Sequence, residues 1–232
     1  MSEQMGHRVL RIEEAVLGKN DQLAERNRAR FKSDGVFVLN VLSSPGSGKT
    51  TFLERMLTDL NGKLQMGVIV GDLETDNDAK RLRDKGAPVT QITTGGICHL
   101  DADMVSKAYE TLTPRPSDLL IIENVGNLVC PASYDLGEDM RMVMLSVTEG
   151  EDKPLKYPVV FHSAQVVIVS KVDIAEVCGF DRDAALTNIR RVAPKATIFE
   201  LSARTGLGMD DWYTYLKEKL PEQRKAGSVN DG

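Results

Sequence analysis

The segment VLSSPGSGKTT (residues 41–51) sets Gly48, Lys49 and Thr50 in succession, with Gly46 two residues earlier. Those types suit a polyanion. Glycines let backbone N–H groups converge on phosphate oxygens, a lysine reaches the β and γ phosphates, and a threonine hydroxyl binds Mg2+. Pro45, Ser47 and Thr51 complete the loop; Ser43 stands where the usual pattern has glycine. The loop joins an apolar, branched run, VFVLNVL (36–42), to the helical pattern TTFLERMLTDLNG. A phosphate loop requires that setting, whereas an ordinary glycine-rich turn does not. Two acids extend the constellation: Asp72 in GDLETDND (71–78) and Glu123 in LLIIEN (119–124), each ending a strand-like run. A carboxylate at the C-terminal end of a parallel strand faces the ligand crevice, where it can serve Mg2+ or the attacking water. The plainer alternative for either acid is a helix cap or a solvated turn.

The base is addressed further on. VVIVSKVD (166–173) resembles the guanine motif Asn-Lys-x-Asp, with Ser170 in the Asn position. Asp173 would accept from the N1 and N2 donors of guanine, which adenine cannot match, and the Lys171 stem would lie over the ring. LSARTGLG (201–208) follows the next strand-like run and supplies Ser202, Ala203 and Arg204 in the place of a loop that touches the guanine oxygen. The two motifs in order favour GTP over ATP.

A second kind of chemistry is offered by TTGGICHLDADMV (93–105), where Cys98 and His99 are adjacent, and by Cys130 in ENVGNLVCPASYDLGE (123–138). Both segments continue from strand-like runs, so a parallel sheet brings them to one edge near the nucleotide. Thiolate and imidazole suit Zn2+ and Ni2+ rather than Mg2+ or Ca2+. Three such groups fall short of a closed structural site of four protein ligands. Adjacent residues also tend to point apart, so the expectation is that water or a second subunit completes the set. Cys178 reads as packing in a later helical segment, and His7 and His162 as incidental.

Residues of these kinds need a rigid frame. The 232 residues, 41% hydrophobic, suffice for one large α/β domain with a core. Strand-like runs at 36–42, 66–72, 87–94, 118–125, 141–150, 165–173 and 196–203 alternate with helical patterns at about 76–86, 101–112, 181–193 and 208–220. That alternation predicts a three-layer P-loop NTPase with a mostly parallel sheet and helices on both faces. Residues 1–32 read as an N-terminal helical segment, either one helix or two with a break near Gly18, 33–220 as the P-loop domain with its metal loops, and 221–232 as a disordered tail. A net charge of −5 argues against a nucleic-acid surface, and no apolar run spans a bilayer. With no signal pattern at the N-terminus, the expectation is a cytoplasmic protein. Three cysteines do not suggest a disulfide framework.

Taken together, SSPGSGKTT, GDLETDND, TGGICHLDADMV, ENVGNLVCPASYDLGE, KPLKYP and SARTGLGMDDW resemble the HypB family, the nickel-incorporation GTPases of NiFe-hydrogenase maturation in the SIMIBI class. The match runs from about residue 8 to 220. The sister GTPase that serves urease is similar in fold but differs in ENVGNLVCP and GGICHLDADM; Ser43 accords with the family's own phosphate loop. The resemblance implies slow GTP hydrolysis to GDP, dimerisation with GTP bound, and Ni2+ or Zn2+ held by Cys98, His99 and Cys130 near the subunit interface. Nickel would pass, with a small zinc-containing partner protein, to the hydrogenase large-subunit precursor. Lys49 and Thr50 would contact phosphate and Mg2+, Asp72 and Glu123 would serve Mg2+ or water, and Asp173 would read guanine. Lys153 or Lys156 would contact the other subunit or its nucleotide. The cysteine motif or His-rich tract that many relatives carry near the N-terminus is absent, which implies little nickel storage. The alternatives are a GTPase for another nickel enzyme such as urease, a P-loop kinase of a small metabolite, and a non-enzymatic carrier. Direct binding measurements are expected to show tighter binding of GTP than of ATP; equal affinities would remove the guanine assignment.

Overall fold

The computed structural model describes residues 2–72 and 77–220, with side chains described from Ala15 onward. The expected tail, 221–232, and His7 as a side chain lie outside the described residues. Seven strands form one sheet: β1 (Phe37–Ser43), β2 (Met66–Asp72), β3 (Val89–Thr93), β4 (Leu119–Gly126), β5 (Met140–Ser146), β6 (Val166–Ser170) and β7 (Thr197–Leu201). Their spatial order is β3-β2-β4-β1-β5-β6-β7 and every pairing is parallel. The sheet is thus wholly parallel, where the sequence patterns suggest a mostly parallel one.

The helices are α1 (Ser2–Ser33), α2 (Lys49–Leu60), α3 (Asn77–Arg83), α4 (Ala102–Thr111), α5 (Lys153–Lys156), α6 (Pro158–Ser163), α7 (Arg182–Val192) and α8 (Met209–Lys219). Strand residues alternate between two cores, as a pleat buried on both faces requires. Leu39, Val41, Leu119, Ile121 and Val68 pack with α2 and α8 around Phe52 and Trp212. The intervening residues turn the other way: Val38, Ile69, Leu120 and Ile122 meet Phe31 of α1 and Tyr109 of α4. Leu42, Val143 and Val167 meet Phe161 of α6 and Ile189 of α7. The helices therefore cover both faces, giving the three layers.

The sequence differs from the structure at identifiable places. Helix α1 runs unbroken through Gly18, because the stripe Asn20, Ala24, Asn27 and Phe31, spaced four, three and four, buries one face. That anchorage outweighs the cost of about 1 kcal/mol for a glycine in a helix. Short α5 and α6 go unanticipated; Pro154 and Pro158 sit in their first turns, where a proline costs no hydrogen bond. Cys178 is exposed in a turn before α7 instead of packing in a helix. His162 is exposed on α6 with Nδ1 3.1 Å from the Val192 carbonyl oxygen. No described helix is long and apolar enough to cross a membrane.

The loop before β5 lies flush against α1. Gly137 has φ 88°, and a Cβ there would come within 2.7 Å of the Ala24 carbonyl oxygen and 2.8 Å of Asn27 Cβ. Gly137→Ala is expected to cost about 1–3 kcal/mol in urea unfolding. Gly18→Ala, with nothing within 4 Å of the new methyl, is expected to gain up to about 1 kcal/mol.

Candidate functional site

Strand β1 lies between β4 and β5, so the chain leaves the sheet in opposite directions on its two sides and opens a crevice at the strand C-termini. The phosphate loop fills the step from β1 to α2. Gly46 and Gly48 adopt positive φ (76° and 97°), and Gly48 caps α2 with no side-chain acceptor, which leaves the helix N-terminus free for an anion. Register puts Val41 of β1 beside Glu123 of β4. Pro45, Gly46, Gly48, Lys49, Thr50 and Thr51 line a cavity of about 490 Å³ together with Asp72 and Glu123. Lys49 Nζ donates to Ser43 Oγ at 2.8 Å, and Thr50 Oγ1 donates to Glu123 Oε1 at 2.7 Å. Burial pulls the Lys49 ammonium below its ordinary range, while Glu123 and other acids oppose that shift. Glu123 is 2% exposed and its Oε2 is buried without a hydrogen-bond partner. An orphaned carboxylate oxygen beside a threonine hydroxyl fits a hard cation such as Mg2+. The loop after Asp72, residues 73–76, lies outside the described residues.

A second cavity of about 190 Å³ adjoins the first, with Gly48, Thr51 and Lys171 on both walls. Ser47, Asp173, Ser202, Ala203 and Arg204 line it as well, so every residue predicted for the base meets here. Lys171 takes a left-handed conformation (φ 61°), uncommon for a lysine. Its Nζ donates to the Gly46 carbonyl oxygen at 2.7 Å, drawing the side chain across the phosphate loop. Ser170 Oγ donates to the Ser47 carbonyl oxygen at 2.8 Å, so the residue that departs from the Asn-Lys-x-Asp pattern ties β6 to the loop.

The three metal-type residues meet within one chain. Ligand atoms of Cys98, His99 and Cys130 lie within 4.8 Å of one another, and the two sulfurs are 2.7 Å apart. The expectation that Cys98 and His99 point apart is corrected. A turn after Gly95 and Gly96 carries both, and the His99 ring stacks on Tyr134 at 3.8 Å. Burial lowers the His99 pKa and favours the neutral imidazole that a metal requires, with Asp101 opposing. Its Nδ1 is buried without a hydrogen-bond partner. The hydrogen bond with Cys130 raises the Cys98 pKa, so the thiol holds its proton until a cation displaces it. Two sulfurs and an imidazole favour Ni2+ or Zn2+ and leave at least one coordination position for a further donor.

Residues that sequence reasoning missed hold this site. Asn127 Nδ2 donates to the Cys98 carbonyl oxygen at 3.1 Å, joining the two metal loops. Asn20 of α1 bridges them again: its Nδ2 donates to the Asp135 carbonyl oxygen and its Oδ1 accepts from Ala102 N. Asn27 Nδ2 donates to the carbonyl oxygens of Ala102 and Leu136, and Arg28 Nη2 donates to both carboxylate oxygens of Asp135. On the phosphate side Arg81 of α3 lines the larger cavity while paired with Glu54 at 2.6 Å. None of these carries a local signal in the sequence.

Comparison with known proteins accords with this geometry. A family model, the CobW/HypB/UreG nucleotide-binding domain, matches residues 37–200. The hydrogenase/urease maturation factor HypB of Helicobacter pylori is 46% identical over 217 residues, covering 92% of this chain and 89% of that protein. The hydrogenase maturation factor HypB of Escherichia coli K12 is 50% identical over 210 residues, covering 90% of this chain and 72% of that one. Among solved structures, HypB from Helicobacter pylori in complex with nickel superposes with a TM-score of 0.83 at 47% identity, over 87% of this chain and 94% of that one. The signal recognition particle 54 kDa protein of Aeropyrum pernix K1, in complex with GDP, shares the fold alone. Its TM-score is 0.54 at 17% identity, over 78% of this chain and 48% of that one.

Burial drives the Glu123 pKa from an ordinary 4.5 to about 7, against the opposing pull of Lys49 and the Thr50 hydroxyl. Between those values the folded protein holds a proton that the unfolded chain has released. Stability from this group is therefore present at low pH and lost as pH rises to about 7, a penalty of about 3 kcal/mol at most. In Mg2+-free, nucleotide-free buffer, Glu123→Gln is expected to be more urea-resistant than wild type near pH 8 and equal to it near pH 4. A less resistant variant near pH 8 would contradict the buried-carboxyl account.

Proposed function

This chain belongs to the HypB family of P-loop proteins, and from that premise we propose that it is a GTP-hydrolysing nickel carrier acting in hydrogenase maturation. The observation that carries the reading is the Cys98, His99 and Cys130 cluster, set on loops that follow β3 and β4, of which β4 lines the nucleotide crevice. A purely catalytic P-loop kinase has no use for such a donor set. One relative is a hydrogenase/urease maturation factor, which favours urease as a second recipient.

In this reading the guanine enters the smaller cavity, where Asp173 accepts from its N1 and N2 donors and Lys171 lies against the ring. Backbone N–H groups of residues 46–51 and the start of α2 bind the phosphates. Lys49 exchanges Ser43 Oγ for β and γ oxygens. Thr50 and Glu123, with Asp72, would hold Mg2+, which would neutralise charge on the phosphates. Glu123, whose pKa burial raises to about 7, would give up its proton as Oε2 takes the cation. Nickel is cargo: the cluster takes it up as the thiols release their protons. Because Cys130 follows β4 by a few residues, the phosphate end of that strand and the metal share one support. Hydrolysis then loosens the metal, and reciprocity demands that metal alter nucleotide affinity by the same factor.

The open coordination position supports a GTP-bound homodimer, in which a second subunit or water completes the set. The zinc-containing partner protein and the hydrogenase large-subunit precursor are the proposed donor and recipient, in a cytoplasmic setting. Residues 1–32 serve as the N-terminal helical segment and 33–220 as the GTPase unit. Nickel titration of wild type and Cys98→Ala, each with GDP and with a GTP analogue, tests the assignment. The variant is expected to lose at least about tenfold in affinity, and wild type to differ between nucleotide states, with dimer scored in the same samples. Affinity is also expected to fall as pH drops and the thiols protonate. Equal nickel affinity in GDP and in the analogue would overturn the coupling.

A further inference from the structure

Arg141 of β5 and Glu138 form an ion pair whose side chains are only 11% and 6% exposed. Every donor of the guanidinium is used. Nε and Nη2 donate to Glu138 Oε1 at 2.9 and 2.7 Å. Nη1 donates to the Ala132 carbonyl oxygen at 3.0 Å and to Ser163 Oγ at 3.2 Å. Nη2 reaches the Tyr134 carbonyl oxygen at 2.9 Å. Ala132 belongs to the 3-10 turn Cys130–Ser133, and Tyr134 carries the ring beneath His99. Glu138 extends the set: its Oε2 accepts from Leu136 N at 2.7 Å, and its Oε1 also accepts from Asn40 Nδ2 at 3.0 Å. Asn40, fully buried in β1, accepts in turn from Asn124 Nδ2 at 3.4 Å, one residue beyond Glu123.

A continuous polar chain thus begins beside the phosphate-facing acid and ends on the turn that bears a metal-type cysteine. Ion pairs this enclosed add little net stability, since desolvation offsets their attraction. What they impose is geometry, and a guanidinium fork with five directed donors imposes more than an ammonium can. We propose that Arg141, gripped by Glu138, is a positioning residue that holds the Cys130 turn and Tyr134 in the geometry that closes on the metal. Asn40 passes the position of β4 to that grip. This deepens the nickel-carrier reading and rests on it.

The test compares wild type, Arg141→Lys and Asn40→Ser by nickel titration without nucleotide, with GDP and with a GTP analogue. Affinity and the thiolate-to-nickel absorption band are both read. Arg141→Lys is expected to lose about 10–100-fold in nickel affinity with a shifted band, while GDP affinity stays within about twofold. Asn40→Ser is expected to keep nucleotide-free nickel affinity within about twofold and to lose the ratio between the GDP and analogue states. Wild-type affinity and an unshifted band in Arg141→Lys would overturn the positioning role. A wild-type ratio retained in Asn40→Ser, or a ratio of one in wild type, would overturn the link through Asn40. GDP affinity reports folding, and should Arg141→Lys not fold, Glu138→Gln, which weakens the grip on Arg141, takes its place with the same expected loss and the same overturning result. Wild type that binds no nickel would overturn the carrier reading itself, whereas nickel binding with unperturbed variants would overturn only this inference.

Discussion

The hydrogen bond from Thr50 Oγ1 to Glu123 Oε1 joins the first turn of α2 to the second half of β4. It can form only because β1 and β4 are parallel neighbours in a register that sets Val41 beside Glu123. From that junction the two halves of the molecule diverge. One leads through the phosphate loop to Lys171 and the smaller cavity; the other follows β4 into the loop that carries Cys130. Taking Glu123 out of water raises its pKa to about 7 and leaves one oxygen unsatisfied. The fold tolerates that cost at the point where a cation with phosphates would remove it.

The two cavities are not independent compartments. Gly48, Thr51 and Lys171 face both, and the Lys171 ammonium bonds the Gly46 carbonyl oxygen. Ser170 fastens the same loop from the β6 side. A strained lysine backbone held by a charged hydrogen bond is a way of pre-forming a binding surface before the ligand arrives. The metal loops follow the same logic with neutral partners, since asparagine side chains from β4's loop and from α1 satisfy the backbone of both.

What could be read from the residues alone follows from the range of the interactions. The phosphate loop is legible because its glycines, lysine and threonine answer a local backbone requirement and sit between a strand and a helix. The parallel sheet is legible because doubly buried strands must be apolar throughout. Cys98, His99 and Cys130 are legible by type, and the parallel sheet explains why their loops meet. The direction of two adjacent side chains is not, because it depends on a turn at Gly95 and Gly96 and on Tyr134, 35 residues from His99 along the sequence. Arg141, Asn40 and Asn20 are invisible in the same way. Each bonds groups far away in sequence or turned by an irregular loop, and no periodicity encodes such a partner.

Helix α1 bears on how the molecule can be taken apart. Its buried stripe contributes nothing to the lining of either cavity, yet Asn20 and Asn27 hold Ala102, Asp135 and Leu136, which follow His99 and Tyr134 in the chain. A chain pared back to begin at β1 would retain every group that faces the nucleotide while unbuckling the two loops that carry sulfur and imidazole. The motif boundary and the mechanical boundary of this domain therefore fall in different places, with the leading helix acting as a clasp on the metal end.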